Sequence, residues 1–191
     1  MDNEKILTSA NQIYEEAKAI RRHLHQNPEL GNQEIQATHF IKQYLQTIDV
    51  PFYQPLKTGG IAFIQADCPC RSFRDASGNT KRTKKIPVIA FRADIDALPI
   101  TEQTGLSCAS ANRGIMHACG HDIHTAALLA AAKIIQAHKD ELKTNVVLIF
   151  QPDEEGSGGA QRLIDAGIFK KYNIRKVFGM HVRSELDTGT N

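Results

Sequence analysis

The chain has 191 residues, 41% of them apolar, enough for one ordinary hydrophobic core and too many for a disordered chain. Its 23 basic and 21 acidic residues leave a net charge of +2, without the basic field of a protein that binds nucleic acid or a membrane surface. Mean hydropathy is −0.33 and no apolar run approaches the roughly 18 residues of a membrane span. The polar start Met1-Asp2-Asn3-Glu4-Lys5 has no apolar signal region, and Cys68, Cys70, Cys108 and Cys119 are too few and too irregular for a disulfide framework. The expectation is a reduced, soluble, cytoplasmic protein.

Ile6, Leu7, Ala10, Ile13, Tyr14, Ala17, Ile20 and Leu24 recur at three- and four-residue steps, which predicts a helix ended by Asn27-Pro28. A second stripe, Ile35, Thr38, Ile41, Tyr44, Leu45 and Ile48, follows an expected cap at Asn32. The period then becomes strand-like, with residues 52–56 and 61–65 flanking the turn Lys57-Thr58-Gly59-Gly60. Residues 66–87 break the pattern with turn formers (Asp75, Ser77, Gly78, Asn79) beside a basic run (Lys81, Arg82, Lys84, Lys85). A solvated surface loop or extended hairpin accounts for them, and a grip on a phosphate or acidic partner is the sharper alternative. Cys68-Pro69-Cys70 has no second pair nearby, so it points only weakly to a redox or metal pair.

Three apolar runs follow, at 87–93, 146–150 and 176–180, with helical stretches at 124–137 and 159–166, the latter closed by Gly167. Runs without polar alternation suit strands buried on both faces. Alternation of strand and helix predicts an α/β fold, a largely parallel mixed sheet flanked by helices with right-handed crossovers. There is no internal repeat.

In such a sheet ligands bind beyond the carboxyl ends of the strands. The first run ends in Arg92-Ala93-Asp94-Ile95-Asp96, whose alternate residues share a face, the second in Asp153-Glu154-Glu155, the third in Met180-His181. Before the long helix, residues 116–124 hold three histidines, Cys119 and Asp122. Cys119, His121, Glu155 and His181 offer thiolate, imidazole and carboxylate, a mix suited to Zn²⁺, Mn²⁺, Co²⁺ or Ni²⁺. Singly, each has a duller reading as a buried thiol or a satisfied polar residue, and the acidic run as a helix N-terminal turn. Together they predict a metal site. Of two adjacent glutamates in a turning segment, one can bind metal while the other takes a proton from an activated water.

The stretches RRHLHQNPELGNQE (21–34), FRADIDALPI (91–100), MHACGHDIHTAALL (116–129), VVLIFQPDEEGSGGAQRLI (146–164) and FGMHV (178–182) resemble the M20 metallopeptidase family. They are most similar to its amidohydrolase branch of hippurate hydrolases, N-acyl-amino-acid deacylases and auxin-conjugate hydrolases. The resemblance runs in order from about residue 13 to the C-terminus, and the 66–87 insertion departs from it. It implies a zinc-peptidase-like catalytic domain with metal ligands at Cys119, His121, Glu155 and His181, a general base at Glu154 and an orienting aspartate at Asp94. Where other branches have His-x-Asp this chain has Arg92-Ala93-Asp94, which puts Cys119 at the bridging position.

Family members continue into a dimerisation domain and then resume the catalytic domain with a further metal-binding His. By resemblance residues 1–191 correspond to the N-terminal part of the catalytic domain, before that dimerisation domain, and relatives homodimerise or oligomerise. The implied activity is hydrolysis of the amide bond of a small N-acyl amino acid, with two divalent ions, Mn²⁺ or Zn²⁺ foremost, per complete site. No nucleic-acid or membrane partner is expected. The alternatives are an inactive fragment or metal-binding module that needs a second polypeptide, and, among enzymes, a dipeptidase or carboxypeptidase of the same family. The MHACGHD form of the motif disfavours the peptidases.

Overall fold

The computed structural model describes residues 2–67, 72–74, 80–82, 87–183 and 185–187. Helix α1 (Asn3–Gln26) starts where the Asp2 carboxylate accepts the Lys5 N–H at 2.9 Å, and it stops at Asn27 ahead of Pro28. Helix α2 (Ile35–Thr47) starts from Glu34 and not from Asn32. The cap expected at Asn32 is not made because this residue takes φ 64° and turns its amide to Asp153.

Strands β1 (Phe52–Tyr53) and β2 (Gly60–Ile64) form the expected antiparallel pair in shorter form. Within 66–87, β3 (Ser72–Arg74) and β4 (Thr80–Arg82) make a separate antiparallel hairpin. Cys68, Cys70, Lys84 and Lys85 lie outside the described residues. The chain continues through β5 (Val88–Asp94), α3 (His121–Ala137), β6 (Asn145–Gln151), α4 (Gly159–Asp165), α5 (Ile168–Tyr172) and β7 (Ile174–Gly179). Helix α3 begins at His121, a turn earlier than its apolar stripe, which brings the His-rich motif onto the helix itself.

The main sheet has the order β1-β2-β6-β5-β7. Strand β5 is parallel to both β6 and β7, whereas β2 is antiparallel to β6 and β1, so every strand but β2 shares one direction. Period-two alternation divides β6 between two cores. Val146, Leu148 and Phe150 pack with Ile20, Leu24, Ile41, Leu45 and Leu129 beneath α1, α2 and α3. Val147 and Ile149 pack on the opposite face with Leu163 and Ile168 of α4 and α5. Burial of a side chain such as Phe150 or Leu148 contributes about 1.5–3 kcal/mol, and this two-sided covering explains the unbroken apolar run.

Strand β7 departs from the expectation of burial on both faces. It sits at the sheet edge, and Val177 and Phe178 are about half exposed. Its main packing partner among the described residues is β5, through contacts such as Phe91 against Phe178. No helix among the described residues is long and apolar enough to cross a membrane.

Candidate metal centre

Three strand ends and one helix entry converge on one side of the sheet. Strand β5 delivers Asp94 and, two residues on, Asp96; β6 runs out into Glu154 and Glu155; β7 runs out into His181; and α3 opens with His121, just after Cys119. All sit beyond the carboxyl ends of β5, β6 and β7, where an open parallel sheet leaves room for a ligand.

His121 is 1% exposed. Its Nδ1 faces the Asp96 carbonyl at 2.9 Å and Asp96 Oδ1 at 3.1 Å, both acceptors, so Nδ1 carries the hydrogen. Nε2 is buried and has no hydrogen-bond partner among the described residues. Around it stand Asp94 Oδ2 at 3.6 Å, Glu155 Oε1 at 3.8 Å and Glu154 Oε2 at 4.0 Å. A lone pair left bare among carboxylates, with the other ring nitrogen tied to an acceptor, is how proteins present an imidazole to a metal. His181 repeats the arrangement, its Nδ1 donating to the Val182 carbonyl at 2.7 Å while Nε2 lies 3.3 Å from Cys119 Sγ.

Donor atoms of Cys119, His121 and His181 fall within 4.8 Å of one another, as do those of His121, Glu154 and Glu155. The residues present therefore fit a divalent metal centre. Asp94, His121 and His124 form a third close group, but both ring nitrogens of His124 are already hydrogen-bonded, Nδ1 to Asp94 within the group and Nε2 to the Val182 N–H outside it. Sequence reasoning left His124 aside; its place in the His-rich motif is visible, but its partners lie 30 and 58 residues away.

The glutamate pair is held by the residue before it. Asp153 has φ 53°, and its buried carboxylate accepts from Arg162 Nη2 at 2.8 Å, Asn32 Nδ2 at 2.9 Å and the Ser157 N–H at 3.0 Å. Its own N–H donates to Glu34 Oε1 at 2.7 Å. Glu34 is fully buried, and that burial pushes its carboxyl above the usual range. Gly31 and Gly156 flank the Asp153 carboxylate so closely that a Cβ on either would collide with it. One residue further, the Glu155 N–H donates to Asp96 Oδ2 at 3.0 Å, so Asp96 binds both His121 and the glutamate turn.

The charges are uneven. Burial alone would raise Asp94 and Asp96, but the hydrogen bond from His124, the attraction of His121 whenever it is protonated and the Arg92 charge lower Asp94, and the His121 ring and backbone N–H groups lower Asp96. Burial favours a neutral His121, yet Asp96 and Asp94 together raise its pKa. Burial, a hydrogen bond to Glu155 and the surrounding carboxylates push the Cys119 thiol up to about 12. A nearby cation would reverse that last effect and favour the thiolate.

A cleft of about 790 Å³ opens beside Cys119 and His181, over Met116, His117 and Ile123. His117 is itself buried, which holds its pKa down to about 4. In the wall of the cleft, Asp122 accepts from His25 Nδ1 at 2.8 Å and lies 2.9 Å from Arg21 Nε, which ties α1 to the first turn of α3.

The same residues locate the chain among known proteins. An uncharacterized hydrolase of Staphylococcus epidermidis is 50% identical over 164 residues, which is 85% of this chain and 38% of that protein. The chain thus spans about 38% of the length of that curated relative. Among solved structures, the Bacillus subtilis YXEP protein, described as a dinuclear metal binding peptidase from the M20 family, is 39% identical with a TM-score of 0.81 over 94% of this chain and 46% of its own. A putative aminohydrolase from methicillin-resistant Staphylococcus aureus is 36% identical with a TM-score of 0.85, over 98% of this chain and 46% of its own. Residues 90–190, which run from within β5 through β7 and carry Asp94, Asp96, Cys119, His121, Glu154, Glu155 and His181, match the model of Peptidase family M20/M25/M40, and to that family the chain belongs.

Proposed function

We propose that the chain is the N-terminal part of the catalytic domain of a metal-dependent amidohydrolase that cleaves the amide bond of a small N-acyl amino acid, of the hippurate type, in the cytoplasm. The observation that carries this reading is the unpartnered Nε2 of buried His121, facing Glu154 and Glu155 beside the Cys119–His181 pair. Cys119, His121, Glu155 and His181 would hold divalent metal, two ions in a complete site, with Mn²⁺ or Zn²⁺ foremost and Co²⁺ or Ni²⁺ as further candidates. Each imidazole nitrogen has one lone pair and would serve one ion, whereas the Cys119 thiolate and the Glu155 carboxylate each have the lone pairs to serve two. When bound, the metal supplies Lewis acidity to the scissile carbonyl and to an attacking water.

The remaining steps belong to side chains. Glu154 is the more exposed of the two glutamates, its side chain 39% exposed against 31% for Glu155, so it would be free to take a proton from a water beside His121 and pass it to the leaving amine. Asp94, fixed by Arg92 Nη1 at 2.6 Å and His124 Nδ1 at 2.6 Å, orients the cluster.

A second reading is a metal-binding module that turns over substrate only with a second polypeptide. His181 and both glutamates are exposed, and an open site leaves its water unshielded. Relatives' homodimers belong to the same proposal. The test is metal analysis together with a panel of N-acyl amino acids and dipeptides, run on the chain alone and with the C-terminal remainder of a relative. Hydrolysis of N-acyl amino acids in preference to dipeptides supports the amidohydrolase, and hydrolysis only on adding the remainder supports the module. Absence of bound metal in both runs refutes both.

A further inference from the structure

His124 is 2% exposed, and neither of its ring nitrogens is free. Nε2 accepts the Val182 backbone N–H at 3.0 Å, and since a backbone amide only donates, the ring hydrogen must lie on Nδ1. Nδ1 donates to Asp94 Oδ1 at 2.6 Å. Val182 is held at its other backbone group as well, its carbonyl accepting from His181 Nδ1 at 2.7 Å. The His124 and His181 rings meet edge to face with centroids 4.7 Å apart. Gly120, at φ +87°, lets Val182 settle onto the turn that presents Cys119 and His121, for a Cβ there would come within 2.5 Å of Val182 Cγ2.

Apart from its contact with Cys119, His181 stands exposed beyond the end of an exposed edge strand. We infer that His124 is a positioning residue that aims His181 at the metal centre through the Val182 backbone, completing a chain of contacts from Arg92 through Asp94. The inference rests on His181 being a ligand in the proposed function. Its physical basis is pre-organisation. A hydrogen bond that fixes a ligand's ring orientation reduces the ordering left to be done when the ion arrives, and loss of such support typically costs about 10- to 100-fold in affinity.

Two variants divide the two bonds of His124. The amide of Gln reaches the place of Nε2 and can accept the Val182 N–H. The amide of Asn reaches only the place of Nδ1, so it keeps the bond to Asp94 and leaves the Val182 N–H unmet. They differ by one methylene, so a general folding defect moves both. Each is titrated with Co²⁺, read by its ligand-field and thiolate charge-transfer absorption, and the metal-free proteins are compared by amide hydrogen exchange at Val182. His124→Gln is expected to bind Co²⁺ within about threefold of the unmodified chain, and His124→Asn about 10- to 100-fold more weakly with changed bands. Val182 exchange should quicken in the Asn variant and stay slow in the Gln variant. Equal affinity and equal exchange in the two variants overturn the inference. Loss of the ion in both, with Val182 still protected in His124→Gln, makes His124 a ligand instead and overturns it too. If the unmodified chain binds no Co²⁺, the metal reading fails by itself, and Val182 exchange alone then decides whether His124 holds the segment.

Discussion

Glu154 and Glu155 leave β6 side by side, yet their surroundings differ. Glu155 is anchored through its N–H to Asp96 and brings Oε1 to 3.8 Å from His121 Nε2, while Glu154 extends further into solvent. Glu154→Gln is therefore expected to leave metal content intact and to cut turnover of an N-acyl amino acid by about 10²- to 10⁴-fold, because an amide cannot accept the proton. Glu155→Gln, like Cys119→Ser and His181→Ala, should instead lower metal occupancy in elemental analysis, and reversed behaviour of the two glutamates would reverse their roles. A third carboxylate gives a pH signature away from the metal. Burial alone would raise the pKa of Glu102, but hydrogen bonds from the Thr104 hydroxyl, the Ser110 N–H and His25 hold it down to about 2. A folded-state pKa below the unfolded value of about 4.3 stabilises the fold fully above that value, and the contribution is lost as pH falls toward 2. Glu102→Gln should therefore melt below the unmodified chain at pH 7, with the gap closing near pH 2 in a series of thermal melts. A gap that stays constant with pH would show that the charge is not what matters.

The elements of the site depend on residues that offer no ligand to the metal themselves. Asp153 in its left-handed turn is clasped by Arg162 of α4, by Asn32 ahead of α2 and by Ser157, and Gly31 and Gly156 leave its carboxylate room. Gly156→Ala should displace that carboxylate, cost about 1–3 kcal/mol in denaturant melts and loosen Glu155's hold on metal. Retained stability and affinity would mean that the turn yields easily. This turn also marks how far the sequence could be read. The acidic run and His181 were legible because they close apolar runs, and Cys119 and His121 because they crowd into a His-rich stretch just ahead of a helical stripe. Asn32 was legible only as a helix cap, for nothing local shows that its amide serves a carboxylate 121 residues away. The same limit hid His124, whose partners lie across the sheet, and Glu34, whose carboxylate is 119 residues from the N–H it accepts. Long-range pairing of polar groups has no periodicity, whereas burial of apolar faces does.

At the scale of the whole molecule, β7 stands out as an exposed edge strand among the described residues. Apolar composition alone made it resemble β6, but composition does not specify which strand stands at an edge. With Val177, Phe178 and Met180 about half exposed, this edge is suited to pairing with another chain. Size-exclusion and light scattering on the isolated chain should show association that grows with concentration, and a Val177→Lys change should reduce it. A monomer at all concentrations would contradict this. The contact between Cys119 and His181 has one more consequence. The two residues stand 62 positions apart, with α3, β6, α4, α5 and β7 in between. An ion held by both would close that stretch into a loop, and by the chain-entropy rule for cross-links the denatured state would lose freedom worth roughly 4 kcal/mol. Chelation should then lower the melting temperature and deprotect β7 amides in hydrogen exchange well before those of β2, and uniform deprotection would argue against it. The ion would thus act as a removable staple, making the anchorage of the outermost strand depend on the metal supply.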